Sequence, residues 1–165
     1  MKKYILISIL IIAAKAYALT PSKNEVRTLF MKASTEAESC KQLITMLYSF
    51  NEQNNAVLAG YKACATMMNA NYVTNPISKW SHFTEGKTLL EKAINADKTN
   101  IELRFLRFAA QSNAPSFLNY NTSINDDKKY LLKEMVNVKD EDLKKLIREV
   151  LLRSSYVSKT EKLNI

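Results

Sequence analysis

A stripe of polar side chains runs along an otherwise apolar segment of the sequence, Ile101 to Gln111. Arg104, Arg107 and Gln111 are three and four residues apart, so in a helix they share one face. Two guanidinium groups one turn apart could form forked hydrogen bonds to a carboxylate or a phosphate. The alternative is that both arginines pair with acids of a neighbouring helix or face water, as surface arginines commonly do.

The connection after this segment, from Ser112 to Thr122, is unusually apolar for a loop and includes Phe117 and Tyr120. An apolar loop either folds onto the core as a lid or contacts another molecule. If both rings lie exposed beside the arginine stripe, we expect them to form one partner-binding patch for a peptide. The candidate partner-binding residues are Arg104, Arg107, Gln111, Phe117 and Tyr120.

Residues suited to catalysis are scarce. His82 is the only histidine, whereas nucleophilic catalysis needs a Ser or Cys with a base and an orienting group. Its neighbours Trp80 and Phe83 favour a role in packing or at the surface. The chain has only two glycines, which leaves no phosphate-cradling loop, and one histidine with two cysteines matches no common metal-ligand spacing. We therefore expect no enzyme activity, no metal and no cofactor.

Paired carboxylates occur at Asp126 and Asp127 and again across Asp140 to Asp142. Two carboxylates side by side can serve acid-base chemistry. Both sets stand where a helical segment begins, however, and negative charge there complements the positive end of the helix dipole. The structural explanation is sufficient for both sets.

The two cysteines, Cys40 and Cys64, lie equally far from Glu52, within the polar stretch Asn51 to Asn55. If this stretch joins two antiparallel helices, both cysteines sit at the same height on the pair. A disulfide is one hypothesis, because an exported protein meets an oxidising compartment; it requires alpha carbons within about 7 Å. The other hypothesis is that the cysteines are small residues that let the helices pack closely.

Residues 1–18 have the pattern of a cleavable signal peptide. Lys2 and Lys3 precede the apolar run Tyr4 to Ala14, and small residues precede the expected cut after Ala18. The run is shorter than the about 20 residues of a spanning helix, so an uncleaved anchor is the weaker alternative. We expect a periplasmic or secreted protein with no transmembrane anchor in the mature chain. Residues 19–165 then form a single helical domain.

The net charge of the chain is +8. Lys2, Lys3 and Lys15 would leave with the signal peptide without any acid, so the mature charge is three lower, +5. This surplus favours weak attraction to acidic surfaces. Electrostatic binding to an acidic cell-surface polymer or an anionic membrane is therefore an alternative function. The basic residues are spread along the chain rather than clustered, so no nucleic-acid partner is expected.

Helix signals recur along residues 19–165, and no Asn-Gly or Asp-Gly hairpin turn occurs. Capping boxes, in which a hydroxyl residue precedes a glutamate by three, predict helix starts at Ser22 with Glu25, Thr35 with Glu38, and Thr99 with Glu102. Asn75 before Pro76 predicts another start. The chain turns polar after about Ser154, where we expect it to fray. The sequence predicts an all-α domain of about six or seven helices.

The segment from Gly86 to Glu102 resembles the second helix of a tetratricopeptide repeat and the turn into the next repeat. The matching positions are Leu90, Ala93, Ile94, Asp97, Asn100 and Glu102. The resemblance implies an irregular tetratricopeptide-like array of antiparallel helix pairs. It also implies a role in binding a protein or peptide partner on one helical face.

The chain as a whole is similar to a group of short, uncharacterised exported bacterial proteins. Three segments carry this resemblance: Asn75 to Lys79, Leu103 to Phe108, and Asn113 to Leu118. The resemblance implies export and a helical fold, and it brings no activity with it. We therefore expect a small exported helical interaction module without catalytic activity.

Overall fold

The computed structural model describes residues 20–165, and within that range every regular element is helical. The eight α-helices are α1 (Lys23–Ala33), α2 (Ala37–Met46), α3 (Glu52–Asn69), α4 (Pro76–Ala96), α5 (Ile101–Asn113), α6 (Ile124–Glu134), α7 (Glu141–Arg153) and α8 (Lys159–Lys162). Short 3-10 helices occupy Ser116–Leu118 and Met135–Asn137. The predicted all-α class is confirmed. The signal peptide predicted for residues 1–18 lies outside the described residues.

The structure has eight α-helices, more than the six or seven expected, because α8 forms in the segment after Ser154. The polar sequence of that segment had predicted that it would fray. Ser158 caps α8 by accepting a hydrogen bond from the N–H of Glu161 at 3.2 Å, and Val157 is buried. Lys128 on α6 forms an ion pair with Glu161 at 3.0 Å. These contacts attach the end of the chain to α6.

The predicted helix starts have mixed outcomes. The hydroxyl of Ser22 accepts from the N–H of Glu25, and Asn75 caps α4 with Pro76 in the first turn, as predicted. The box at Thr35 is wrong, because α2 begins after Glu36 with no side-chain cap.

The capping box predicted at Thr99 is also wrong. The side-chain oxygen of Asn100, one residue later, accepts from the N–H groups of Glu102 and Leu103 at 3.1 and 3.3 Å. The carboxylate of Glu102 is therefore not used at the cap of its own helix. It is buried instead, and its partners belong to other helices.

Helices α3 and α4 form a closely packed antiparallel pair. A Cβ atom added to Gly86 would lie 2.5 Å from the carbonyl oxygen of Ala63 and 2.8 Å from the backbone nitrogen of Met67. Further along, Asn69 Nδ2 lies 3.2 Å from His82 Nε2. The contacts move from Gly86 back to His82 along α4 as they move forward to Asn69 along α3, so the two helices run in opposite directions. Glycine at position 86 permits this close approach.

Helix α5 is the central helix, as its apolar sequence predicts. Phe105, Leu106 and Phe108 are fully buried. Phe30 on α1 makes edge-to-face contacts with Tyr61 and Phe105, with ring centroids 5.2 and 6.3 Å apart. Aromatic pairs of this geometry contribute about 0.5–1.5 kcal/mol beyond their buried area. The core therefore joins α1, α3 and α5.

Across residues 20–165, no helix combines the length and the hydropathy that crossing a bilayer requires.

Candidate functional site

The arginine stripe lies inside the protein rather than on an open face. Arg107 is 7% exposed. Its Nε and Nη2 donate to the two carboxylate oxygens of Asp127 at 2.6 and 2.9 Å, and its Nη1 donates to Glu91 at 3.0 Å. Burial lowers the pKa of Arg107, but its hydrogen bonds and attraction to the two carboxylates outweigh this and raise it above the ordinary value. The guanidinium is therefore charged and fully engaged.

Of the other members of the stripe, Gln111 is buried and Arg104 is partly buried. Arg104 Nε lies 2.9 Å from an oxygen of Asp127, although the alignment is not that of a hydrogen bond. The guanidinium carbon lies 5.0 Å from the ring centroid of Tyr130, a cation-π contact. Gln111 is 1% exposed, and its amide atoms have no hydrogen-bond partner among the described residues.

The two aromatic residues of the predicted patch differ in their exposure to solvent. Tyr120 is buried, its hydroxyl donates to Glu91 at 2.8 Å, and its ring packs edge-to-face on Phe83. Burial and the carboxylate of Glu91 raise the pKa of Tyr120, so it stays protonated as a donor. Phe117 is 78% exposed.

The predicted patch is therefore corrected. Arg104, Arg107, Gln111 and Tyr120 do not form an exposed surface with Phe117. The physical reason is that Glu91 on α4 and Asp127 on α6 face the stripe and pair with it, which is the alternative that the sequence left open. Of the five candidates, only Phe117 is available to a partner.

A second buried ion cluster joins helices that are distant in sequence. Arg27 on α1 donates from Nε to Glu102 at 2.9 Å and from its two terminal nitrogens to Asp140 at 3.0 and 2.9 Å. The hydroxyl of Tyr61 also donates to Glu102, at 2.8 Å. Sequence reasoning missed this cluster. The side chains of this cluster form their hydrogen bonds with one another. The cluster therefore positions helices rather than binding a ligand.

Cys40 and Cys64 are both free and buried. The thiol of Cys40 donates to the carbonyl of Ala65 at 3.2 Å, and that of Cys64 to the carbonyl of Leu106 at 3.8 Å. Burial raises the pKa of Cys40 to about 11 and that of Cys64 to about 12. The structure therefore has the close-packing alternative and not the disulfide, and both thiols are in the unreactive protonated form.

The remaining polar candidates do not converge on a reactive centre. His82 is half-buried, and its side-chain partner among the described residues is Asn69. Asp127 belongs to the buried ion pairs and Asp140 caps α7, while Asp126 is exposed. Within residues 20–165, no group of three or more metal-binding side chains lies close enough to hold an ion.

An apolar cavity of about 480 Å³ opens between α3, α4, the end of α5 and the loop that follows it. Its buried wall includes Phe30, Cys64 and Met67. Its outer wall includes Trp80, which is 58% exposed, and Phe117. The ring of Trp80 therefore lies at a surface where a ligand could cover it.

The cavity has few polar groups, and they differ in hydrogen-bonding character. Lys79 is the charged residue of the lining, is exposed, and makes no ion pair with any described residue. At the other side α5 ends: Ala114 is extended, with φ −71° and ψ 134°, and Pro115 has no N–H. The last carbonyls of α5 therefore lack N–H partners from the following chain. Lys79 offers donors, and the end of α5 offers acceptors.

Comparisons with protein-family models, with curated proteins and with solved structures found no match to this chain.

Proposed function

We propose that this protein is a small, exported, non-catalytic helical module that binds a peptide or protein partner in the cavity between α3, α4 and α5. The observation that carries the proposal is the apolar cavity with two exposed aromatic rings, Trp80 and Phe117, in its lining. Pockets that bind ligands are concave and mostly apolar, with a few polar groups that orient the ligand. Aromatic anchors dominate the binding energy of many protein interfaces.

The proposed architecture is an irregular tetratricopeptide-like array of antiparallel helix pairs. The pairing of α3 with α4 supports it, as does the resemblance of Gly86 to Glu102 to one repeat unit. Export is supported by the signal-peptide pattern of residues 1–18. In this array the cavity, and not the arginine stripe, is the face that holds the partner.

The aromatic lining of the cavity limits the affinity that we expect for a partner. Covering the rings of Trp80 and Phe117 contributes at most about 3 kcal/mol each, whereas association costs at least about 4 kcal/mol. The two rings alone therefore provide little net binding. A partner must also insert an apolar side chain into the cavity, so we expect a dissociation constant in the micromolar to millimolar range.

Electrostatic binding to an acidic polymer or membrane is the second candidate. The mature net charge of +5 motivates it, but two of the contributing basic side chains, Arg104 and Arg107, have ion-pair partners inside the protein. Binding of this kind should disappear at about 1 M salt, where the Debye length is about 3 Å. Binding in the apolar cavity should persist there, because apolar burial is not screened.

The test is capture of a partner from envelope and secreted fractions by the wild-type protein and two matched variants. Phe117→Ser removes a ring of the cavity. Val136→Ser removes another exposed apolar side chain, 69% exposed, outside the cavity lining. The proposal expects the same partner with wild type and Val136→Ser, at low and high salt, and loss of that partner with Phe117→Ser. Equal capture by both variants, or no capture by wild type, contradicts it.

A further inference from the structure

The cavity carries an uncompensated positive charge beside its aromatic lining. Lys79 and Trp80 are adjacent on the first turns of α4, and both line the cavity. The lining contains no acidic residue, and Lys79 forms no ion pair with the rest of the described chain. Beside apolar surfaces the attraction between opposite charges is stronger than in bulk water. A ligand with a carboxylate at this point would therefore be preferred.

The end of α5, which lines the cavity, carries hydrogen-bond acceptors. The last carbonyls of α5 lack N–H partners beyond Ala114, and Asn113 uses its Nδ2 to donate to the carbonyl of Ala109, which leaves its side-chain oxygen as an acceptor. A peptide backbone supplies N–H donors at regular intervals. The hydrocarbon chain of an anionic lipid supplies none. The cavity as a whole therefore matches a peptide better than it matches a fatty acid or phospholipid.

We propose that the ligand of this cavity is an acidic peptide segment, in which a residue with a carboxylate stands beside a bulky apolar residue. The carboxylate pairs with Lys79, and the apolar side chain packs on Trp80 and Phe117. Since Lys79 and Trp80 both line this one cavity, the two ligand residues must lie close to each other in the bound peptide. This inference rests on the proposed function and specifies the chemistry of the partner.

The experiment is selection of peptides from a random displayed library by the purified protein and two charge-reversal variants. Lys79→Glu changes the cavity. Lys92→Glu is the control, because Lys92 is exposed on the same helix and lies 13 residues further along, about 20 Å away at the helical rise per residue. We expect wild type and Lys92→Glu to enrich peptides with Asp or Glu beside Leu, Phe or Trp, and Lys79→Glu to lose this preference.

One enriched peptide and its Glu→Gln counterpart then give the size of the effect. With wild type the Gln peptide should bind about 1.5- to fivefold more weakly, the range expected for an exposed ion pair. With Lys79→Glu the two peptides should no longer differ in that direction.

The outcomes separate this inference from the proposed function. Enrichment of neutral or basic peptides, or unchanged selection by Lys79→Glu, overturns the acidic-peptide inference and leaves the cavity as a peptide site. Absence of any enriched peptide overturns both. Binding of wild type to phosphatidylglycerol vesicles without any peptide enrichment would identify an anionic lipid surface as the ligand, which also overturns both.

Discussion

Arg107 and Asp127 form a two-point ion pair between α5 and α6, with nitrogen-oxygen distances of 2.6 and 2.9 Å. Asp127 has no exposed surface, and it is also the carboxylate nearest to Arg104. Asp127 and Glu91 together thus neutralise the two arginines that the sequence offered as a binding surface. The pair fixes how α6 packs on the central helix.

Loss of the Asp127 side chain should lower the free energy of unfolding far more than loss of the Asp126 side chain. Asp127→Ala leaves Arg107 buried without its main partner, which destabilises a protein by about 3–5 kcal/mol. Asp126→Ala removes an exposed acid in the first turn of α6, with a cost of at most about 1 kcal/mol. The measurement is the free energy of unfolding in urea. Equal costs for the two variants would contradict the burial of the pair.

Stability should fall in acid partly because of Asp140. Its hydrogen bonds from Arg27 hold the pKa of this carboxylate below the ordinary value. When the pH falls below about 4, Asp140 is protonated first in the unfolded chain, where its pKa has the ordinary value. The stability present at neutral pH is therefore lost as the pH falls toward the lower pKa of the native state.

Asp140→Asn tests this titration. The variant should be less stable than wild type at neutral pH, and the difference should shrink as pH falls from about 4. The control is Asp142→Asn, an exposed acid of the same helix turn, which should keep the wild-type pH dependence. A constant difference between Asp140→Asn and wild type across the acid range would show that the ion pair with Arg27 contributes nothing.

The two glycines should differ in their tolerance of a methyl group. At Gly86 the added Cβ meets backbone atoms of Ala63 and Met67, which cannot move without separating α3 from α4. Overpacking costs about 1–3 kcal/mol, more than the about 1 kcal/mol gained in helix propensity. At Gly60 the nearest atoms are side-chain methyls of Leu103 and Leu106, which can rotate away. Thermal unfolding should rank Gly86→Ala below Gly60→Ala; the reverse order would refute the close contact.

Phe117 should matter little to the fold. Because its ring is mostly exposed, Phe117→Ser should change the free energy of unfolding by less than about 0.5 kcal/mol. Phe105→Ala, in the core, should cost about 3–5 kcal/mol. Chemical denaturation of both variants checks this. A large loss from Phe117→Ser would mean that the ring serves the fold and not a partner.

Local signals in the sequence predicted the all-α class and some of the helix starts. The segment Ile101 to Gln111 is apolar on nearly every side, as suits the central position of α5, and the pair Asn75 and Pro76 placed the start of α4 correctly. The start of α5 was missed by one residue, because Asn100 outcompetes Thr99 as the cap. The assignment of Glu102 to a capping box was wrong for a different reason. Its partner Arg27 lies 75 positions away in the sequence, and no local sequence pattern predicts a contact at that separation.

The site was harder to predict than the fold. The spacing of Arg104 and Arg107 correctly put them on one face, but spacing cannot say what packs on that face. Asp127 had a sufficient local explanation as a helix-start acid, so its role as their partner went unnoticed. The cavity combines segments near Met67, Trp80 and Phe117, which only the packing of three helices brings together. The segments Asn75 to Lys79 and Asn113 to Leu118 were singled out for a resemblance, without any signal that they meet.

Trp80 gives a direct measurement of the central claim, because it is the only tryptophan of the chain and lines the cavity. The intrinsic fluorescence of the protein is to be followed during titration with a captured partner or an enriched peptide. If the partner occupies the cavity, the emission should shift to shorter wavelength and become protected from acrylamide quenching, in wild type and in Val136→Ser. A partner that binds while the emission and quenching of Trp80 stay unchanged would contradict the assignment of the cavity as the binding site.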